Sequence, residues 1–128
     1  MDRKSLFSVF FFGCLGGLSR YELVSLFPGQ TTTLLINLVG CFLLALITYY
    51  IIERQVSAGW LSTGLGTGFV GAFTTFSSFC NDLDQAFINH SYLSGSLYLL
   101  LSILGGYLAA WLGYLLAGQL TARKGVTK

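Results

Sequence analysis

The charged residues of this chain are so few, and so clustered, that they leave four long uncharged runs: Ser5 to Ser19, Leu23 to Ile52, Gln55 to Asn81, and Gln85 to Ala122, the last interrupted only by His90. Each is near or above the ~20 residues that a helix needs to cross a bilayer, the first if it runs on past Arg20. Only 9% of the 128 residues are charged and 54% are hydrophobic, where a soluble domain carries about a quarter charged residues. In hydrocarbon the backbone must satisfy its own hydrogen bonds, so the runs are expected to be helices. Four spans leave almost nothing outside the membrane. The sequence predicts a single all-α transmembrane domain over residues 1–128, with helices at about 6–26, 32–52, 60–87 and 93–120, and a function that sits between them.

The punctuation fits this division. Pro28-Gly29 ends the first helix, because proline cannot continue it. Glu53-Arg54 ends the second, and Gln55 to Gly59 form a short polar connection. Trp60, an interfacial residue type, opens the third. Arg123, Lys124 and Lys128 anchor the fourth. The basic start followed by an apolar run imitates a signal peptide, but is read here as the first span. The formal charge of +2 is small and carried at the ends, which speaks for membrane orientation and against nucleic acid. Cys14, Cys41 and Cys80 are odd in number and lack metal-ligand spacing, so they read as small packing residues. Gly13 and Gly17, Gly64 and Gly68, and Gly105, Ala109, Gly113 and Ala117 recur at the intervals that let membrane helices approach closely.

One stretch departs from the pattern of a packing helix. Gly68 to Phe79 reads Gly-Phe-Val-Gly-Ala-Phe-Thr-Thr-Phe-Ser-Ser-Phe, with four hydroxyls and two glycines in an uncharged run. Irregular backbone at membrane depth persists only where protein buries it or where it lines a polar path. The third helix is therefore expected to break around Gly71 to Thr75 and to form a site, with an ion as cargo. Phe76 and Phe79 are three residues apart and share a face, interleaved with Ser77 and Ser78. Ring edges are electropositive, so edges and hydroxyl hydrogens can hold an anion without a full charge that would trap it. Asn37 is the sole amide between Leu34 and Leu46; burying it unpaired costs about 2 kcal/mol or more, so it should face protein or an ion. Arg20, inside the first helix, reads either as a residue snorkelling to the interface or paired with Glu22, or as a fixed positive charge at the mouth of an anion path.

Other classes fit less well. No nucleophile pairs with His90, which falls in an expected loop, so no enzyme is indicated. A proton-coupled exporter would bury a carboxylate mid-span, whereas Glu22, Glu53, Asp82 and Asp84 are all placed near expected helix ends. A structural membrane subunit would explain the glycines but not the hydroxyl-aromatic break.

Gly16-Gly17-Leu18-Ser19-Arg20-Tyr21, Asn37-Leu38-Val39-Gly40 and the stretch Gly68 to Phe79 together resemble the three signature stretches of the small bacterial fluoride channels, the Fluc or CrcB family, in order along the chain. The resemblance implies an antiparallel dimer of four-helix subunits in the bacterial cytoplasmic membrane, formed with itself or with an oppositely oriented homologue. Its two pathways would let fluoride leave passively after it has entered an acidified cell as the neutral acid. By motif matching, Phe76 and Phe79 would line the path, with Asn37 near them, Ser77 and Ser78 in a hydroxyl track, Tyr98 as the pore tyrosine and Arg20 at the vestibule. The backbone carbonyls of Gly71 and Thr74 from both chains would enclose one structural, untransported sodium ion. Ala72 stands where a second glycine is common, Phe73 where a smaller aliphatic is, Cys80 for a serine and Asp82 for a glutamate. With the N-terminus in the cytoplasm, Arg3, Lys4, Arg54, Arg123, Lys124 and Lys128 share that side and Arg20 lies toward the other. This bias predicts both termini inside.

Overall fold

The computed structural model describes residues 2–54 and 58–125, with 52, 53, 124 and 125 as backbone alone; Gln55 to Ser57 of the expected connection and Lys128 lie outside the described residues. The helices are α1 (Arg3–Leu26), α2 (Gln30–Arg54), α3 (Gly59–Thr63), α4 (Gly71–Phe73), α5 (Phe76–Ile88) and α6 (Tyr92–Gly125), with a π-helical stretch, Gly64–Val70, between α3 and α4. No strand occurs among the described residues. Three helices, Arg3–Leu26, Gln30–Ile51 and Tyr92–Arg123, are long and apolar enough to cross a membrane.

Local chemistry sets the ends. Asp2 caps α1, its Oδ1 accepting from the Ser5 N–H at 3.1 Å, which starts the helix at Arg3 where the apolar run alone suggests about residue 6. At the other end the Phe27 N–H closes on the Leu23 carbonyl at 2.9 Å. Gly29 then turns the chain at φ +130°, a backbone angle that side chains disfavour, and the Thr32 hydroxyl donates back to the Phe27 carbonyl. Between α5 and α6 the chain reverses at His90, φ 56°, with the Ser91 N–H on the Ala86 carbonyl at 2.8 Å.

The bundle is built from two parallel pairs. Alongside α1 runs the bent third segment: a Cβ on Gly64 would strike the Ser8 hydroxyl, one on Gly68 would lie 2.8 Å from the Val9 carbonyl oxygen, and one on Gly16 would overlap the Phe69 carbonyl. Alongside α2 runs α6: Gly105 packs on Leu38, Gly113 on the Phe42 carbonyl, and Arg54 Nη2 donates to the Leu120 carbonyl at 3.5 Å. Close approach of this kind supplies the van der Waals contact that holds helices together where no hydrophobic drive operates. In the first helix the close packing falls on Gly13 and Gly16; Gly17, expected from its spacing to Gly13, has nothing within 4 Å in the protomer.

The pattern of burial suits lipid as solvent. Among the buried residues are Ser5, Ser8, Thr33 and Thr75 with Ala86 and Ala117, while Phe7, Phe10, Leu93 and Tyr107 face outward at 71–76% exposure.

The third segment is bent where its sequence departs from the packing pattern. The Gly71 N–H reaches back five residues to the Gly66 carbonyl, the longer bond of a π turn, a feature that often accompanies functional sites. Thr74 and Thr75 then leave the helix in extended conformation, at φ −76°, ψ 159° and φ −146°, ψ 114°. Ala72 lies inside α4, so the break uses extended backbone and asks nothing there that alanine cannot give.

Candidate ion pathway

Leaving the helix after Thr74 strips the Thr74 carbonyl and both backbone groups of Thr75 of their ladder partners, and side chains from two other helices supply replacements. Asn37 of α2 meets Thr75 with both ends of its amide: Nδ2 donates to the Thr75 carbonyl at 3.0 Å and Oδ1 accepts from the Thr75 N–H at 2.9 Å. One side chain thus pairs with both backbone groups of a buried residue, as a neighbouring strand would. Arg20 of α1 donates through Nη1 to the Thr74 carbonyl at 3.1 Å. Thr74 uses its own N–H and hydroxyl on the Val70 carbonyl, both at 3.0 Å. Gly40 lets α2 approach this point, since a Cβ there would collide with the Thr74 methyl.

Thr75 is also the cap from which α5 starts. Its Oγ1 accepts from the Ser78 N–H at 3.2 Å, donates to Ser78 Oγ at 3.0 Å and lies 3.3 Å from Ser77 Oγ. N-caps of this kind are worth about 1 kcal/mol. Because Thr75 gives its proton to Ser78, the Ser78 hydroxyl keeps its own for an outside acceptor. Three hydroxyls are thereby gathered at the start of α5, where backbone N–H groups and the helix dipole already favour negative charge.

An aromatic row leads away from this cluster. Phe76 and Phe79 are 5.9 Å apart between ring centres and tilted by 31°, and Phe79 is 5.4 Å from Tyr98 of α6, tilted by 36°. Tyr98 is 2% exposed, and its hydroxyl donates to Asp82 Oδ2 at 3.1 Å. A cavity of about 290 Å³ between α2 and the break is bounded by Asn37, Cys41, Gly71, Thr74, Thr75 and Phe76.

The structure therefore gathers Asn37, Ser77 and Ser78 around Thr75 and sets Phe76, Phe79 and Tyr98 in a row beginning beside them. Arg20 reaches the break itself, holding the Thr74 carbonyl. Gly71 and Thr74 lie together on the cavity wall. Two participants escaped the sequence reading. Thr75 stood within the hydroxyl run but carried no signal that separated cap from track. Asp82 was placed near a helix end, whereas it lies in the middle of α5, half-buried against Tyr98; only the Phe79–Asp82 interval, one more three-residue step along that face, could have found it.

Comparison with known proteins agrees with this architecture. Residues 7–114 match the family described as CrcB-like protein, Camphor Resistance (CrcB). The chain is 52% identical to "Fluoride-specific ion channel FluC 2" of Ligilactobacillus salivarius over 91% of its own length and 87% of the relative's. It is 47% identical to "Fluoride-specific ion channel FluC 1" of Lactobacillus delbrueckii subsp. bulgaricus, covering 86% and 85%, and 49% identical to a FluC 1 of Bacillus cereus, covering 91% and 88%. With a broken third segment clamped by Asn37 and a family match across most of its length, this chain belongs to the CrcB, or Fluc, family of small bacterial fluoride channels.

Proposed function

We propose that the chain is a fluoride-selective channel of the bacterial cytoplasmic membrane, crossing it four times and releasing cytoplasmic fluoride passively. The observation that carries this reading is the hydroxyl cluster at Thr75, Ser77 and Ser78 opening onto the row Phe76, Phe79, Tyr98. A small anion loses strong hydration on entering such a path and needs donors in return. Hydroxyl hydrogens and ring edges supply them as partial charges, strong enough to admit the ion and weak enough to release it. The names of the relatives, fluoride-specific ion channels, support fluoride as that anion.

The fourth crossing in this reading is the bent segment from Gly59 to Ile88, which runs beside α1 in the same direction. It is too interrupted to count as one apolar helix. The Asp82–Tyr98 contact is the feature closest to an exporter. Yet Asp82 is held by a hydroxyl donor, and the relatives' names favour a channel.

An antiparallel partner, a second copy or an oppositely oriented homologue, would bring two breaks together, and the Gly71 and Thr74 carbonyls with their counterparts would hold one sodium ion. The donor set fits. The N–H that would close on the Gly71 carbonyl is given instead to Asn37, which frees that oxygen. The Thr74 carbonyl accepts from Arg20 and keeps a second lone pair. Neutral oxygens without a carboxylate suit a monovalent cation better than calcium or magnesium, which recruit acidic side chains. When bound, the ion would supply a fixed positive centre tying the two breaks.

The test is efflux from liposomes loaded with fluoride or chloride. Fluoride should leave and chloride should not, and a folded Phe76→Ile, Phe79→Ile double variant should lose most of the flux. Undiminished flux in that variant would refute the aromatic path. Exhaustive replacement of sodium by a large organic cation should lower both dimer stability and flux; no change in either would refute the sodium assignment alone.

A further inference from the structure

We propose that the groove between the first turns of α1 and the start of α3 binds an anionic phospholipid. The groove measures about 640 Å³, and Arg3, Lys4, Phe7, Ser8, Phe11 and Trp60 are the lining residues that matter here. Its floor is where α1 and the third segment touch, at Ser8 and Gly64, with the Phe12 ring 2.8 Å from where a Gly64 Cβ would stand. From there it opens toward the bundle end that carries Arg3 and Trp60.

The chemistry is layered as in a phospholipid. Lys4, Ser8 and Phe11 recur at the three- and four-residue intervals of one helix face. Arg3 and Lys4 are exposed at the rim beside the Trp60 indole, which is 43% exposed. One turn deeper is Ser8, 4% exposed, whose hydroxyl has no hydrogen-bond partner among the described residues. That hydroxyl is turned against Gly64, so Ser8 forms the floor of the groove and leaves the headgroup to Arg3 and Lys4. Phe7, level with Ser8, and Phe11, one turn further in, are 73% and 51% exposed and form an aromatic wall fit for an acyl chain.

Charge complementarity selects an anionic headgroup. The α1–α2 turn is short, so the start of α1 and the end of α2 lie at the same end of the bundle. Arg54 there donates to Leu120 near the end of α6, close to Arg123. Arg3 and Lys4 are the charges that line the groove itself, Arg54 and Arg123 add to the positive charge of the same bundle end, and Asp2 is engaged in capping. Basic pockets between helices are suited to anionic headgroups, and a basic residue near the surface contributes about fivefold in affinity for them.

The test reads Trp60 fluorescence in a Trp111→Phe background, with the full chain in phosphatidylcholine vesicles containing brominated phosphatidylglycerol or brominated phosphatidylcholine. Half-maximal quenching by the glycerol lipid should need at least fivefold less lipid than by the choline lipid. In Arg3→Gln, Lys4→Gln the two curves should converge, and in Arg3→Lys, Lys4→Arg they should stay apart. Coincident curves in the parent protein would overturn the proposal, as would a preference that survives in Arg3→Gln, Lys4→Gln. Absence of quenching by either lipid would also overturn it, since another occupant, such as a second copy of this chain, would then cover the groove. No fluoride flux is read, so either result leaves the channel reading untouched.

Discussion

Asn37 works at the break because an amide offers a donor and an acceptor at the spacing of a peptide's own. Its two bonds to Thr75 satisfy groups that the departure from helix would leave unpaired, and each such group, when buried without a partner, costs about 1–3 kcal/mol. Asn37→Ala should therefore lower the thermal midpoint and abolish fluoride efflux together. Asn37→Asp separates the two effects. A carboxylate still accepts from the Thr75 N–H but cannot donate to its carbonyl, and it sets a negative charge beside the anion path. Part of the stability should return while the flux stays lost. Recovery of fluoride efflux in Asn37→Asp would show that Asn37 acts only as scaffold. The lone amide in an apolar helix was legible in the sequence as a residue in need of a partner. Its partner was not, because a backbone group 38 residues away leaves no mark in composition. Arg20 illustrates the same limit: its charge was conspicuous, but the Thr74 carbonyl that it holds is 54 residues distant.

At the scale of elements, the helices and the bend follow from local rules: charge clusters, Pro28-Gly29, and glycines with hydroxyls where the third helix cannot remain regular. Which face of a helix packs is less legible. Gly13 pairs with Gly17 at four residues and with Gly16 at three, and both intervals lie on one side of a helix. The structure selects Gly16, against the Phe69 backbone, and leaves Gly17 open. The π-helical stretch explains part of this, since a turn that closes over five residues shifts the register of Gly68 and Phe69 against α1. The neighbours make a matched pair of tests. A methyl at Gly16 would meet carbonyl atoms, which cannot swing aside as a side chain can, and overpacking of that kind costs about 1–3 kcal/mol. At Gly17 the same methyl meets nothing in the protomer, and alanine is the better helix former by about 1 kcal/mol. Thermal unfolding should show Gly16→Ala destabilised and Gly17→Ala unchanged or more stable. Equal losses would mean that the open face of α1 packs against something in the assembled protein.

For the whole molecule, the distribution of charge sets up a conflict with antiparallel assembly. The start of α1 and the ends of α2 and α6 share one end of the bundle, which brings together Arg3, Lys4, Arg54 and Arg123, with Lys124 and Lys128 following in sequence. Arg20, the seventh basic residue, was expected toward the opposite face. Its guanidinium is instead bound to the Thr74 carbonyl, at the bend halfway along the third segment, so it does not count as a loop charge for the other side. The bias is then six to none, steeper than the sequence suggested, and basic residues flanking spans are what set insertion direction. A chain inserted one way with both termini in the cytoplasm cannot form an antiparallel dimer with an identical copy. It would pair in its native cell with an oppositely oriented relative, and with itself only where expression alone forces some chains to invert. Labelling a cysteine added after Lys128 in intact cells, in a background with Cys14, Cys41 and Cys80 replaced, decides between these. An impermeant reagent applied from outside should leave that cysteine unlabelled until the membrane is opened. Labelling of about half the chains from outside, with the other half reacting only after the membrane is opened, would show insertion in both directions and return the homodimer as the native form.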